Sequence, residues 1–323
     1  MSGNSSSSIS PYPFLLTTNI QFWCLLIVII PSLMCSLFTL YHLLFDRTLR
    51  TALSNHIIIV ILLIALLNQV TVYPWMINYY NLGGYWERST IFCYFSAFLS
   101  WTLYILEGIL FAWATIERHI LIFHDRWLAT KKKRFFFHYL PIVVLIAYCL
   151  IYYICVDFFS PCTNAVYYTV VACGSFCIAW NYYYILWDTI AHQLVPGLII
   201  LIFSVALLIR VIWTKAHMNQ PVQWRKYRKM SIQLLSISIV YLLCYFPYIF
   251  INSMFVLKIL YNINIDILFI FSFLTYFMIL LLPFVCLLTL PDLGKRIKYF
   301  WRLGRPPAAI HPSTLPVRQT GAF

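Results

Sequence analysis

CYFSAFLSWTLYILEGILFAWATIER occupies residues 93–118 and is the most informative run in the chain. From Tyr94 to Ile116 the one ionisable carboxyl is Glu107. About 20 apolar residues suffice to cross a bilayer as an α-helix. At 1.5 Å per residue such a helix sets Cys93 and Arg118 roughly 37 Å apart, one at each membrane face. A cysteine marks one mouth, and the pair Glu117-Arg118 marks the other.

The rest of the chain has the same character. Of 323 residues, 63% are hydrophobic and only 10% are charged, with a mean hydropathy of +0.84. That profile excludes a soluble domain. Seven apolar segments, near 20–45, 54–79, 91–123, 135–158, 188–213, 229–257 and 265–289, are each long enough to span. Pro31, Pro74, Pro141, Pro196, Pro247 and Pro283 fall inside six of them. Membrane helices tolerate proline because neighbours re-satisfy the freed carbonyls. The fold expected is an all-α bundle of seven transmembrane helices over 20–290, after a short Ser- and Pro-rich tail at 1–19. The tail carries a glycosylation sequon at Asn4. No cleavable leader is read there, because no Lys or Arg precedes the first apolar run. Leu293, Ile297, Phe300 and Trp301 oppose Lys295, Arg296, Lys298 and Arg302, which predicts an amphipathic surface helix over 291–302. Residues 303–323 read as a disordered tail.

Charge placement sets the orientation. With the N-terminus outside, the cations in or beside cytoplasmic loops run from Arg47 and Arg50 through Lys131 to Arg134 to the Lys295–Arg302 cluster. Only Arg88 and Lys258 of the 22 Lys and Arg residues then lie outside. The net charge of +13 is thereby assigned to anionic inner-leaflet lipid, at about 1 kcal/mol per cation near the surface, and no nucleic-acid partner is required. Catalytic motifs are missing: there is no His-Glu-x-x-His and no Gly-rich phosphate loop. His119 and His124 beside Asp125 have poor spacing for a metal, so neither metal nor cofactor is expected, and the chain is read as no enzyme.

Several motifs at mutually consistent positions resemble the rhodopsin-like G-protein-coupled receptors. These are Leu49-Arg50-Thr51-Ala52-Leu53-Ser54-Asn55, the interval from Cys93 to Arg118, Glu117-Arg118-His119, Pro196, Cys244-Tyr245-Phe246-Pro247 and Pro283. The resemblance runs from about Ile20 to Trp301. It implies a plasma-membrane receptor that passes an extracellular ligand's signal to a heterotrimeric G protein through outward movement of the sixth helix. Arg118 would pair with Glu117 at rest and turn to the G protein on activation. Cys244, Tyr245 and Pro247 would form the switch. Cys93 would be bridged to the loop between the fourth and fifth helices. Cys177 is the preferred partner and Cys173 the alternative, the preferred pairing leaving Cys162 with Cys173. The ligand set it implies is Ser100, Trp101, Tyr104, Asp188, His192, Tyr245, Tyr248, Asn252, Ser272 and Tyr276. Ser100 stands where amine receptors carry Asp, and Tyr276 where opsins carry the retinal Lys. A peptide or a small chemosensory molecule is therefore expected, and an amine or retinal is not.

The departures from the pattern are as specific as the matches. Ala65 replaces the acid of the second helix. Leu282-Pro283-Phe284-Val285-Cys286 replaces Asn-Pro-x-x-Tyr, and Ser204 falls near the usual fifth-helix tyrosine. The basic run Trp224–Lys229 lacks the acid that restrains the arginine in some members, which predicts raised basal activity. Glu107 lies 11 residues before Arg118, on the same face. An acid near the bilayer centre costs about 2.5–3.5 kcal/mol, so it should face the interior, with Asn68 and Gln69 as polar neighbours. It either makes one structural hydrogen bond or senses an ion or proton. The rival reading of the whole chain is a seven-span transporter or channel. No internal repeat of the kind such folds carry is found.

Overall fold

The computed structural model describes residues 17–123, 130–159, 162, 165–175, 177–217, 221–259 and 265–289. Asn4, the surface helix at 291–302 and the tail at 303–323 lie outside the described residues, as do the side chains of Trp224–Lys229. Among the described residues six helices are long and apolar enough to span a membrane: α1 (Thr18–Phe45), α2 (Leu53–Asn81), α3 (Thr90–Phe123), α4 (Lys131–Phe158), α5 (Tyr182–Trp213) and α7 (Ile265–Thr289). The remaining span, α6, consists of Pro221–Cys244 and Phe246–Val256, bent by 44° at their junction. The result is a multi-pass membrane bundle.

Proline sets the irregularities. Its ring removes an N–H and crowds the carbonyl four residues back. Two breaks sit within four residues upstream of a proline, and two π-turns end two residues before one. α2 is interrupted at Thr71, ahead of Pro74. α6 is interrupted at Tyr245, ahead of Pro247. α4 has a π-turn over Phe135–Tyr139, ahead of Pro141, and α5 has one over Asp188–Leu194, ahead of Pro196. Such turns insert a residue and shift the face that follows.

The helices close into a ring, α7 packing on both α6 and α1, while α3 touches α2, α4, α5 and α6. Burial decides which helix is central. In their most apolar windows, 67% of α3 is buried against 17% of α4. Outward-facing Ile27, Ile30, Ile151, Ile202 and Leu243 are each at least 60% exposed, a belt that suits lipid rather than water. A polar clamp holds α1, α2 and α7 together. Ser36 Oγ donates to Gln69 Oε1 (2.9 Å), Gln69 Nε2 to Ser32 Oγ (3.0 Å), and Ser32 Oγ to the Leu280 carbonyl (2.7 Å). The Gln69 amide is thus engaged by α1 and makes no hydrogen bond to Glu107.

Between α4 and α5 a two-residue antiparallel ribbon pairs Ala165–Val166 with Gly174–Ser175. It corrects the disulfide assignment. Cys93 is bonded to Cys173, and Cys162 to Cys177. The turn that precedes the second strand ends on Cys173, held in the left-handed region at φ 60°. There its N–H donates to the Val170 carbonyl and its carbonyl accepts from the Tyr167 N–H. This places its Cα 4.9 Å from that of Cys93. Cys177 lies beyond the strand and returns to Cys162, Cα to Cα 5.8 Å.

Candidate functional site

At the Cys93 end the helices enclose a cavity of about 540 Å³. Its walls include Ser100, Trp101 and Tyr104 of α3, Tyr248 of α6, and Ser272 and Tyr276 of α7. α2 adds Asn68, which the sequence had singled out only as a neighbour of Glu107, and Tyr73 and Met76, which sequence reasoning missed because they carry no motif. The roof is the segment Thr169–Ala172, adjoining Cys173. It is tied down by Tyr79 Oη donating to the Thr169 carbonyl (2.7 Å) and Trp86 Nε1 to the Val170 carbonyl (3.0 Å). Tyr73 Oη donates to the Tyr276 carbonyl (2.6 Å), spanning from α2 to α7. No Lys, Arg or His is among the described lining residues; Asp266, partly buried, is the one acid.

Four residues of the expected ligand set are not in this wall. Asp188 and His192 sit on the π-turn of α5, which swings them toward α4. There Tyr148 Oη and His192 Nε2 are 2.7 Å apart, His192 Nδ1 and Asp188 Oδ1 2.8 Å, and Tyr153 Oη donates to Asp188 Oδ1 (2.9 Å). Asn252 is half-buried elsewhere on α6. Tyr245 is buried below the cavity floor. Its ring lies 5.0 Å from that of Tyr104 and 4.7 Å from that of Tyr241, whose ring is in turn 5.5 Å from Phe111. These rings form a ladder from the floor into the core. The Tyr104 and Tyr245 hydroxyls face each other without a well-aligned hydrogen bond. A β-carbon at Gly108 would sit 3.7 Å from the hydroxyls of both Tyr241 and Tyr245, an ordinary contact, so Gly108 lies directly against the ladder. Beside it Glu107 is 2% exposed, with neither carboxyl oxygen hydrogen-bonded.

At the opposite end Arg118 is 1% exposed. Its Nη2 donates to the Ser54 carbonyl of α2 (2.7 Å), while Nε and Nη1 have no partner. The expected pairing with Glu117 is not made. Glu117 Oε1 instead meets Nδ1 of His138 on α4, a fully buried ring. The physical reason is facing: consecutive residues on a helix point about 100° apart, and Glu117 looks to α4 while Arg118 looks to α2. His119 packs against Phe123 and against Phe203 of α5, ring centroids 5.0 and 5.6 Å apart. Above Arg118, Ile58, Leu62, Phe111, Leu234, Leu282 and Cys286 form an apolar layer. Ser204 Oγ donates to Ser238 Oγ (2.8 Å) and joins α5 to α6, where the resemblance led one to seek a tyrosine.

A lipid-spanning helical bundle, with a roofed cavity at one end and a buried arginine at the other, defines the class as a multi-pass membrane protein. The model of the 7 transmembrane receptor (rhodopsin family) matches residues 21–285. The chain belongs to that family. No curated protein matches it.

Proposed function

We propose that the protein resides in the plasma membrane with its N-terminus outside and couples a small extracellular ligand to a heterotrimeric G protein. The sidedness of the cations supports that orientation, which puts the cavity and both disulfides in the oxidising compartment where such bonds persist. One observation carries the reading. Arg118 is buried with two guanidinium nitrogens unpartnered, one continuous helix away from the cavity. A desolvated cation with spare donors is strongly drawn to carbonyl or carboxylate acceptors. A G protein offers these once α6 moves aside.

The bend at Tyr245, ahead of Pro247, is the hinge for that movement. Tyr104 is wall and ladder at once, so a ligand that shifts it disturbs Tyr245 directly. Ligand binding then selects between two packings of the same bundle. The cavity volume lies in the range of sites for small organic molecules. With no cation among its described lining residues, a carboxylate or phosphate would be desolvated without compensation from them. The ligand class is therefore a compact, largely apolar, uncharged molecule, with hydrogen bonds supplied by tyrosine hydroxyls. A small chemosensory compound fits this better than a peptide. The test is a ligand screen in cells with a promiscuous G protein, using Arg118→Ala as the silent control. Ligand responses that survive Arg118→Ala, or substrate flux through reconstituted vesicles without nucleotide exchange, would overturn the reading in favour of another signalling route or of a transporter.

A further inference from the structure

The carboxylate that Arg118 does not hold begins a hydrogen-bonded chain. Glu117 Oε1 meets His138 Nδ1, His138 Nε2 lies 3.0 Å from His56 Nδ1 on α2, and His56 Nε2 lies 2.8 Å from the Arg50 carbonyl. Three hydrogen bonds need three protons. Two neutral imidazoles carry one each and an ionised carboxylate carries none. The terminal acceptor is a backbone carbonyl and donates nothing. The linked arrangement therefore holds one proton more than its parts do when neutral rings meet an ionised acid. Whichever atom bears that proton, the count is the same.

We propose that Glu117, His138 and His56 form a cytoplasm-facing site for a single proton, and that this proton locks the inner ends of α2, α3 and α4 together around Arg118. The functional half of this rests on the receptor reading above. When the proton leaves, the bond given up is the weakest, between the two imidazoles, because the carboxylate keeps its charge-assisted donor. A replacement donor is in place: Tyr139 Oη is 3.4 Å from His56 Nδ1. The consequence reaches Arg118 through two residues of chain, since His56 follows closely on Ser54, whose carbonyl holds the guanidinium. Freeing the first turn of α2 loosens that hold. Acid cytosol thus favours the resting form and alkaline cytosol the released one. Histidine exchanges protons in the physiological range, and His56 is only part-buried, which gives the proton its way in. The other ionisable groups around the site, among the described residues, are Arg118 from α3, Arg50 from the α1–α2 turn, and Arg134 and Tyr139 on α4 itself.

The experiment is imidazole ¹⁵N NMR of the purified receptor in nanodiscs between pH 6 and 8, with His56→Phe and His138→Phe to assign signals. It is paired with basal nucleotide exchange on a promiscuous G protein, normalised at each pH to Arg118→Ala. The expected NMR result is one proton lost by the pair in a single shared step, absent from both variants. Rings that titrate independently, or do not titrate, overturn the site. The expected exchange result is a rise of roughly three- to tenfold per pH unit, one proton setting a ceiling of tenfold, and a flat profile in both variants. A shared NMR step with flat exchange leaves the proton site standing and overturns its control of Arg118. A pH slope retained by His56→Phe overturns the lock. Activity in neither wild type nor variants at any pH would tell against the receptor reading itself.

Discussion

α3 buries two glutamates, one near its inner end and one midway along it, and treats them in opposite ways. Glu117, at the Arg118 end, sits in a chain of partners that crosses to α4 and α2. Glu107, beside the cavity floor, is equally buried and hydrogen-bonded to nothing. A paired buried acid anchors helices to one another; an unpaired one is a cost borne in place. The inner end is therefore built to be held until a partner arrives. The outer end has orphan hydroxyls and a lone acid around open space, and is built to be filled. Around Glu117 polar pairing ties three helices to one another; around Glu107 it does not.

The largest expected effect concerns the roof. Cys93→Ser should destabilise the protein by about 4 kcal/mol and abolish ligand responses, because that bridge closes a long loop. Cys162→Ser, which opens a short one, should cost about 3 kcal/mol by the same loop-entropy relation and spare part of the response. Denaturant unfolding of both variants checks the order, and equal behaviour would break the distinction. Next is Glu117→Gln, which should lower stability by about 2 kcal/mol, the worth of a bond to a charged group, as a thermal melt in detergent will show. Glu107→Gln should do the reverse and raise stability by about 1 kcal/mol, since a neutral amide costs less to bury than an unpaired acid. If sodium or pH dependence of signalling disappears with it, the outer glutamate is a sensor; if both persist, it is only a tolerated burden. The smallest effect is expected from Asp266→Asn at the cavity wall. An uncharged ligand should lose at most about threefold in potency, less than 1 kcal/mol. A hundredfold loss would mean that the ligand carries a positive charge.

Much of the fold was legible in the sequence, and the omissions have causes. Seven spans followed from segment length alone, and α3 as the axis followed from Cys93 and Arg118 at its two ends. Glu107 was found because a carboxyl in a lipid-spanning run announces itself. His138 was not, because Phe135-Phe136-Phe137-His138-Tyr139 reads as an interfacial aromatic stretch. Only the π-turn ahead of Pro141 sets its inward aim. The same device on α5 turned Asp188 and His192 away from the cavity, a phase shift that a straight-helix projection cannot register. The choice between Cys173 and Cys177 rested on a four-residue ribbon and one left-handed backbone angle, neither of which has a strong local signal. The ring ladder from Tyr104 to Phe111 depends on which faces of α3 and α6 meet, which the linear order does not state.

The run Trp224–Lys229 holds no acid in the sequence, and two nitrogens of Arg118 are unpartnered; on the proposed receptor reading both favour signalling without ligand. The most direct measurement is guanine-nucleotide exchange on a promiscuous G protein, driven by the purified receptor in nanodiscs, wild type against Arg118→Ala. The wild type should exceed the variant by about tenfold even unliganded, within the usual range for coupling between sites. Equal exchange by the two proteins, with the variant folded by its melting curve, would contradict it.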